Sequence, residues 1–327
     1  MWQRFESMLE QKHFDPALPE MYRDVCHHLA LARSRHYTSK LCSRLNHLVM
    51  LGHTRLYANT KTWDASLSTV ILEDLPNTLR NNARLVWLSM ALFFITMLIT
   101  GYACYIDEEF ILSIFGPEDI AQFESMYDPE SEYRTADMRD AGDDWYMFGF
   151  YIANNIGIGF RTFASGIFAG IGSLFILFYN GLAIGAVAGH LTKTGYTETF
   201  YPFVVGHGSF ELTAIALSCA AGLRLGFSLI NPNGYSRIDA MKLAGKDAIV
   251  LVYAVIIMLL IAAFLEAFWS SSSAIPNAVK YSVGGVFWVM VIYYLIACTL
   301  PKKYSALKQS QNVQAKNDRE NSSESQE

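Results

Sequence analysis

A histidine and a glutamate four residues apart lie on one face of a helix and can exchange a proton, hydrogen-bond or share a cation, and His207-Gly208-x-x-Glu211 has that spacing. Three further ionisable side chains, Arg161, His190 and Glu266, also sit in apolar sequence. Each costs about 2.5–3.5 kcal/mol at the centre of an inserted helix, so their presence marks a site worth testing. Between residues 154 and 226 they are joined by Asn154-Asn155, Asn180-Gly181 and Gly222-Leu223-Arg224-Leu225-Gly226. Three roles fit such a set: hydrogen bonds that hold helices together, conduction or proton relay, and metal ligation.

The pattern argues against several chemistries. His-x-x-x-Glu offers two ligands at most and lacks the second histidine of a zinc-protease H-E-x-x-H, so neither metal nor cofactor is expected. Lys193-Thr194 lacks the glycines of a phosphate-binding loop, and no nucleophile elbow is present. No catalytic residue can be assigned, and the expectation is that the chain is not an enzyme. The five cysteines, Cys26, Cys42, Cys104, Cys219 and Cys298, have no C-x-x-C spacing and define neither a disulfide framework nor a zinc site.

The elements that must position these residues are helices in a membrane. Of 327 residues 52% are hydrophobic and only 17% charged, and the apolar residues fall in blocks. The fold class expected is all-α, a polytopic helical membrane bundle with an N-terminal helical cytoplasmic domain. Residues 1–83 form that domain: Tyr22, Val25, Leu29 and Ala32, then Leu41, Leu45, Leu48, Val49 and Leu56, recur at helical steps. The membrane domain spans 84–300, and residues 301–327, rich in Gln, Asn, Ser and Glu, read as a disordered cytoplasmic tail. The net charge of -5 favours no nucleic-acid partner. The N-terminus lacks the basic start of a cleavable signal, so the first apolar run is expected to serve as an uncleaved insertion signal.

Five full spans are expected, at 85–106, about 155–179, 203–230, 247–268 and 281–300, each close to the 20 residues that cross a hydrocarbon core. Residues 145–155 read as an interfacial lead-in. Residues 181–191 form only a short glycine-rich piece, expected to be a half-helix or re-entrant segment. Between residues 107 and 144 there are thirteen Asp/Glu and two Arg, which places this loop outside, whereas Arg237, Lys242 and Lys246 hold the 231–246 loop in the cytoplasm. An even number of crossings, with both termini cytoplasmic, satisfies these biases. On this scheme Arg161, His190, His207, Glu211 and Glu266 converge at one depth, with Arg161 paired to Glu211 or Glu266.

These motifs, in this order, resemble the stage II sporulation protein M family. They are Asn154-Asn155-Ile156, Tyr179-Asn180-Gly181-Leu182-x-x-Gly185, His207-Gly208-x-x-Glu211-Leu212, Ala221-Gly222-Leu223-Arg224-Leu225-Gly226 and Ser236-Arg237, with Glu266 before a Ser-rich turn. One departure is Gly206, where such proteins commonly carry a proline. The resemblance implies an integral protein of the bacterial inner membrane, named for a member that holds peptidoglycan-remodelling proteins together. Relatives are often encoded beside MoxR-type ATPases. The function expected is a scaffold or assembly factor that recruits envelope or cytoplasmic partners. The alternative is a channel or proton-coupled transporter using the His/Glu/Arg cluster. Expected partners are membrane lipid and either envelope-remodelling proteins or a MoxR-type ATPase system, and assembly into a homo-oligomer is left open.

Overall fold

The computed structural model describes residues 1–10, 17–57, 70–130 and 141–300, and the regular elements among them are all helical. Three helices, α1 (Trp2–Glu10), α2 (Leu18–Ser34) and α3 (Ser39–Tyr57), form the N-terminal unit. Their apolar faces meet in a small core of Phe5, Leu18, Val25, Leu29, Leu45 and Leu48. Val25, Leu29, Leu45 and Leu48 are among the residues that the helical spacing selects, while Phe5 and Leu18 are additions from the structure. Pro19 sits in the first turn of α2, where its missing N–H breaks no hydrogen bond. The disordered tail expected at 301–327 lies outside the described residues.

After a π turn (Val70–Asp74) and the short α4 (Leu75–Asn81), the chain enters α5 (Ala83–Ile106). A 3-10 turn and α6 (Pro117–Tyr127) then cap one rim of the bundle. The remaining helices are α7 (Ala141–Ala164), α8 (Ile171–Lys193), α9 (Thr197–Ile230), α10 (Arg237–Phe264), which runs on through a π turn (Leu265–Ser270), and α11 (Asn277–Thr299). By length and composition α5, α8, α9, α10 with its π turn, and α11 can each cross a membrane. α9 is the axis: 72% of its apolar window is buried, against 22–39% for the other four. Large side chains on the outside of the bundle, such as Leu98, Phe175 and Val289, are about two-thirds or more exposed, as lipid-facing residues are.

The structure corrects the expected spans in two places. The segment 181–191 is not a separate half-helix, because α8 runs unbroken through Asn180 and Gly181. Nor does one span cover 155–179, because the chain turns back between Ser165 and Gly170. Ala169 has φ 55° and Gly170 φ 83°; a left-handed pair ends the helix, and glycine takes that conformation without the Cβ clash other residues suffer. The expected lead-in is likewise the first half of α7, a continuous helix. α10 also begins ten residues earlier than hydropathy indicates, at Arg237. Ser236 caps it, its Oγ accepting from the Asp239 N–H at 3.2 Å.

The turn at 165–170 gives α7 a direction. Gly159 on α7 faces Leu259 and Val255 of α10, and Gly166 meets Gly222 of α9, so α7 descends beside α9 and antiparallel to α10. α7 therefore runs along the bundle as a sixth long helix beside the five that are long and apolar enough to cross a membrane. Contacts assign the rims. Asn46 of α3 donates to the Gly234 carbonyl at 2.9 Å and His47 lies 3.5 Å from Asp239, which puts the N-terminal unit on the rim of the 231–236 loop. On the opposite rim Thr199 donates to the Tyr127 carbonyl and Glu124 of α6 meets His190.

Candidate functional site

The chain brings His207, Glu211 and Glu266 together and leaves Arg161 and His190 elsewhere. His207 and Glu211 stand one turn apart on α9, with Nε2 3.9 Å from a Glu211 carboxylate oxygen. Glu266 arrives from the π turn that ends α10, and one ligand-type atom from each of the three residues lies within 4.8 Å of the others. A π turn is wider than an α turn and is frequently found at functional positions. Here it turns both Glu266 and Ser270 toward α9.

The surroundings hold these groups in place. His207 Nδ1 is 3.1 Å from Ser270 Oγ, and the Phe203 ring packs against the imidazole edge-on at 5.2 Å. Asn155 of α7 donates from Nδ2 to Glu266 at 3.5 Å, and Asn154 donates to Asn155 Oδ1 at 3.1 Å. Lys280 of α11 donates from a buried Nζ to the Ser270 carbonyl at 2.8 Å, fixing the end of the π turn. Four helices thus meet at one level. His207 and Glu211 are largely enclosed, their side chains 5% and 18% exposed.

Proline supplies a further tie above the cluster. Pro202 interrupts the hydrogen bonds of α9 because it has no N–H to give the carbonyl four residues earlier. That carbonyl, Glu198 O, instead accepts from Asn277 Nδ2 at 3.0 Å, which anchors the start of α11.

The expected pairing of Arg161 with a carboxylate does not occur. Arg161 is in the last turn of α7, exposed, and its Nε donates to the carbonyl of Gly157 in its own helix at 3.1 Å. Asn155, not Arg161, is level with Glu266, and six residues of helix separate the two by about 9 Å. The misplacement follows from putting the chain break at Asn180 rather than at Gly170. His190 is also displaced from the cluster: it ends α8 at the capped rim, buried, with Nε2 2.8 Å from Glu124.

The remaining motif residues serve packing. Asn180 donates to Ile176 O of its own helix at 2.8 Å. Gly181 and Gly185 let α8 lie against the backbone of α5, where a Cβ on Gly181 would stand 3.0 Å from Phe93 O and one on Gly185 would strike Met97 O. Gly222 and Gly226 perform the same service for α9 against Phe163, Ser173 and Gly170. Gly208, near the cluster, faces side chains of its own helix. Arg224 pairs with Asp247 of α10 at 3.2 Å.

Four contributors escape a reading of sequence: Glu124, Asp247, Ser270 and Lys280. Glu124 is one of thirteen acids in its loop, and Ser270 opens a run of serines, so neither stands out by type. Lys280 carried a usable signal, being a lone charge at the start of an apolar run.

A helical bundle with an apolar exterior and ionisable side chains enclosed between its helices defines a multi-pass membrane protein. The sequence model of the family described as Stage II sporulation protein M matches residues 89–271, more than half of the chain. The chain belongs to that family. A second model, Domain of unknown function (DUF8413), matches residues 1–58, the stretch that contains α1 to α3. No curated protein and no solved structure matches the chain.

Proposed function

We propose that this protein is a non-enzymatic scaffold of the bacterial cytoplasmic membrane, with its two rims serving partners on opposite sides. The observation that carries this reading is that each rim bears a separate extramembrane unit clamped to a closely packed bundle. α1 to α3 are held to the 231–236 loop through Asn46 and Gly234, and α6 is held to the ends of α8 and α9 through His190 and Thr199. Between them the helices approach backbone to backbone at Gly166 and Gly222, and at Gly101 and Gly189. Contacts of this kind hold neighbouring helices in close packing. A rigid bundle with a unit on each side transmits position well.

Charge supports the orientation. The rim with the N-terminal unit also carries Arg237, Lys242 and Lys246, which favour the cytoplasm, and the acidic rim faces the envelope. Both termini are then cytoplasmic. A MoxR-type ATPase system would be met at α1 to α3 and envelope-remodelling proteins at α6, and the exposed apolar flanks leave room for lipid or a second copy.

A second reading, a channel or proton-coupled transporter, draws on the carboxylates Glu211 and Glu266 facing each other between α9 and α10. One comparison separates the two. Cross-linking in native membranes is expected to capture partners at α1–α3 and at α6, and the purified protein in proteoliposomes is expected to carry no proton or ion flux. Flux abolished by Glu211→Gln in a folded protein, with no partner captured, would replace the scaffold with a transporter.

A further inference from the structure

We propose that His207, Glu211 and Glu266 form a binding site for a divalent transition-metal ion that joins α9 to the π turn of α10. One imidazole nitrogen and two carboxylates are a donor set for Zn2+ or Mn2+, whereas Mg2+ and Ca2+ favour oxygen alone. Ligand atoms on a single such ion, with bonds of about 2.0–2.2 Å, stand roughly 3–4 Å apart. The three here lie within 4.8 Å of one another, and His207 Nε2 is already 3.9 Å from Glu211, so side-chain rotation closes the set.

Charge provides the physical reason. Two carboxylates facing each other in a largely enclosed site between membrane helices repel, and the one arginine that sequence assigns to them, Arg161, points away. A divalent cation neutralises both in a single step. The imidazole adds a neutral ligand, so the ion and its three ligands together carry no net charge.

The second shell is independent of the ligands and has the form a metal site requires. A ligating histidine donates its other ring N–H to a fixed acceptor. Ser270 Oγ, 3.1 Å from Nδ1, is such an acceptor, and a proton on Nδ1 turns the Nε2 lone pair to the carboxylates. Asn155 Nδ2 donates to Glu266 and leaves carboxylate lone pairs free for the ion. Lys280 holds the Ser270 carbonyl, so the acceptor stays in place. The π turn brings Glu266 and Ser270 to the same face, where it supplies a ligand and a second-shell partner together. The site calls for neither a scaffold nor a transport role and stands apart from both.

The test uses the full chain in nanodiscs, stripped with chelator and titrated with Co2+ as a spectroscopic probe, with Zn2+ and Mn2+ as competitors. The expected result is one ion per chain, with a visible absorption band that Zn2+ displaces. Glu266→Gln and His207→Gln are expected to abolish the band, and Asn155→Ala to weaken binding about 10-fold to 100-fold, the range for a second-shell partner. His190→Gln, at the other histidine of the bundle, should leave it intact. Glu266→Asp keeps the charge on a shorter arm and should bind more weakly with a shifted band, which guards against a Gln variant that fails to fold. Wild-type protein that takes up none of the three ions at micromolar concentration overturns the proposal without reference to any variant. So does an ion retained undiminished by Glu266→Gln and His207→Gln.

Discussion

Gly222→Ala should be among the most damaging one-carbon changes in the chain, and its magnitude can be worked from the contacts. A methyl group at Gly222 would strike the Ser173 hydroxyl of α8 and stand 2.9 Å from the Phe163 carbonyl of α7 and 3.1 Å from Ser173 Cβ. The hydroxyl can rotate, but the Phe163 carbonyl is helix backbone and cannot. Insertion of one carbon into such packing costs about 1–3 kcal/mol, and the backbone obstacle places this case near the upper end. At about 1.4 kcal/mol per tenfold, that is roughly a 100-fold loss in the ratio of folded to unfolded protein.

Ser173→Ala gives the comparison. Its Oγ donates to the Thr162 carbonyl at 2.6 Å, and a hydrogen bond inside a membrane bundle is worth about 0.6 kcal/mol on average. Packing should therefore outweigh hydrogen bonding by several-fold at the same junction. In the double variant the new methyl no longer meets a hydroxyl, so the combined loss should be smaller than the sum of the two. Unfolding curves in mixed micelles, followed by tryptophan fluorescence, would measure all three. A Gly222→Ala variant within about 0.5 kcal/mol of wild type, or a Ser173→Ala variant that loses more than Gly222→Ala, would refute the claim that close backbone approach holds these helices.

Other substitutions address single contacts. Glu124→Ala removes the carboxylate bonded to His190 Nε2, and with Nδ1 already lacking a partner among the described residues it should lower stability by about 1–3 kcal/mol as a buried polar ring is left unsatisfied; Glu124→Gln keeps an acceptor and should lose less, both read as shifts in Tm. Arg161→Ala should change stability by less than about 0.5 kcal/mol, because the guanidinium is exposed and among the described residues bonds the Gly157 carbonyl of its own helix; a larger drop would restore the pairing with Glu211 or Glu266 that the contacts deny. Arg224→Ala breaks an ion pair whose side chains are about one-third exposed, so the expected loss is at most about 1 kcal/mol and should shrink as salt is raised. For topology, cysteines placed at Asn46 and Asn233 should react with a membrane-impermeant reagent from one side, and a cysteine at Glu118 from the other.

Much of this molecule is legible without coordinates, because water and lipid act on composition. Blocks of apolar residues must be helices in a bilayer, where every backbone N–H and C=O needs an internal partner. The spacing of Val25, Leu29, Leu45 and Leu48 selects the core of the N-terminal unit because it puts them on the apolar faces that the helices bury together. His207 and Glu211 share a face because a helix repeats every 3.6 residues. Family membership was also readable, since its motifs occur as short local strings. The direction of α7 was not. Both Gly170 and Asn180-Gly181 offer a place for the chain to break, and local sequence does not rank them; the turn forms at Ala169-Gly170, where Gly166 and Gly226 let α9 pack against it.

That single choice decides the site. With the break at Gly170, Asn155 lies level with Glu266, and Arg161 is left near the far rim. The π turn contributes as much, since a five-residue hydrogen-bond step has no signature in composition and yet determines which face Glu266 presents. Sequence alone determined that ionisable residues would lie inside a membrane bundle, because their types and apolar neighbours are written in the chain. Which of them meet was decided by tertiary structure, because helix direction, rotation and depth depend on contacts between residues far apart in sequence: Asn155 with Glu266, His207 with Ser270, and Gly166 with Gly222.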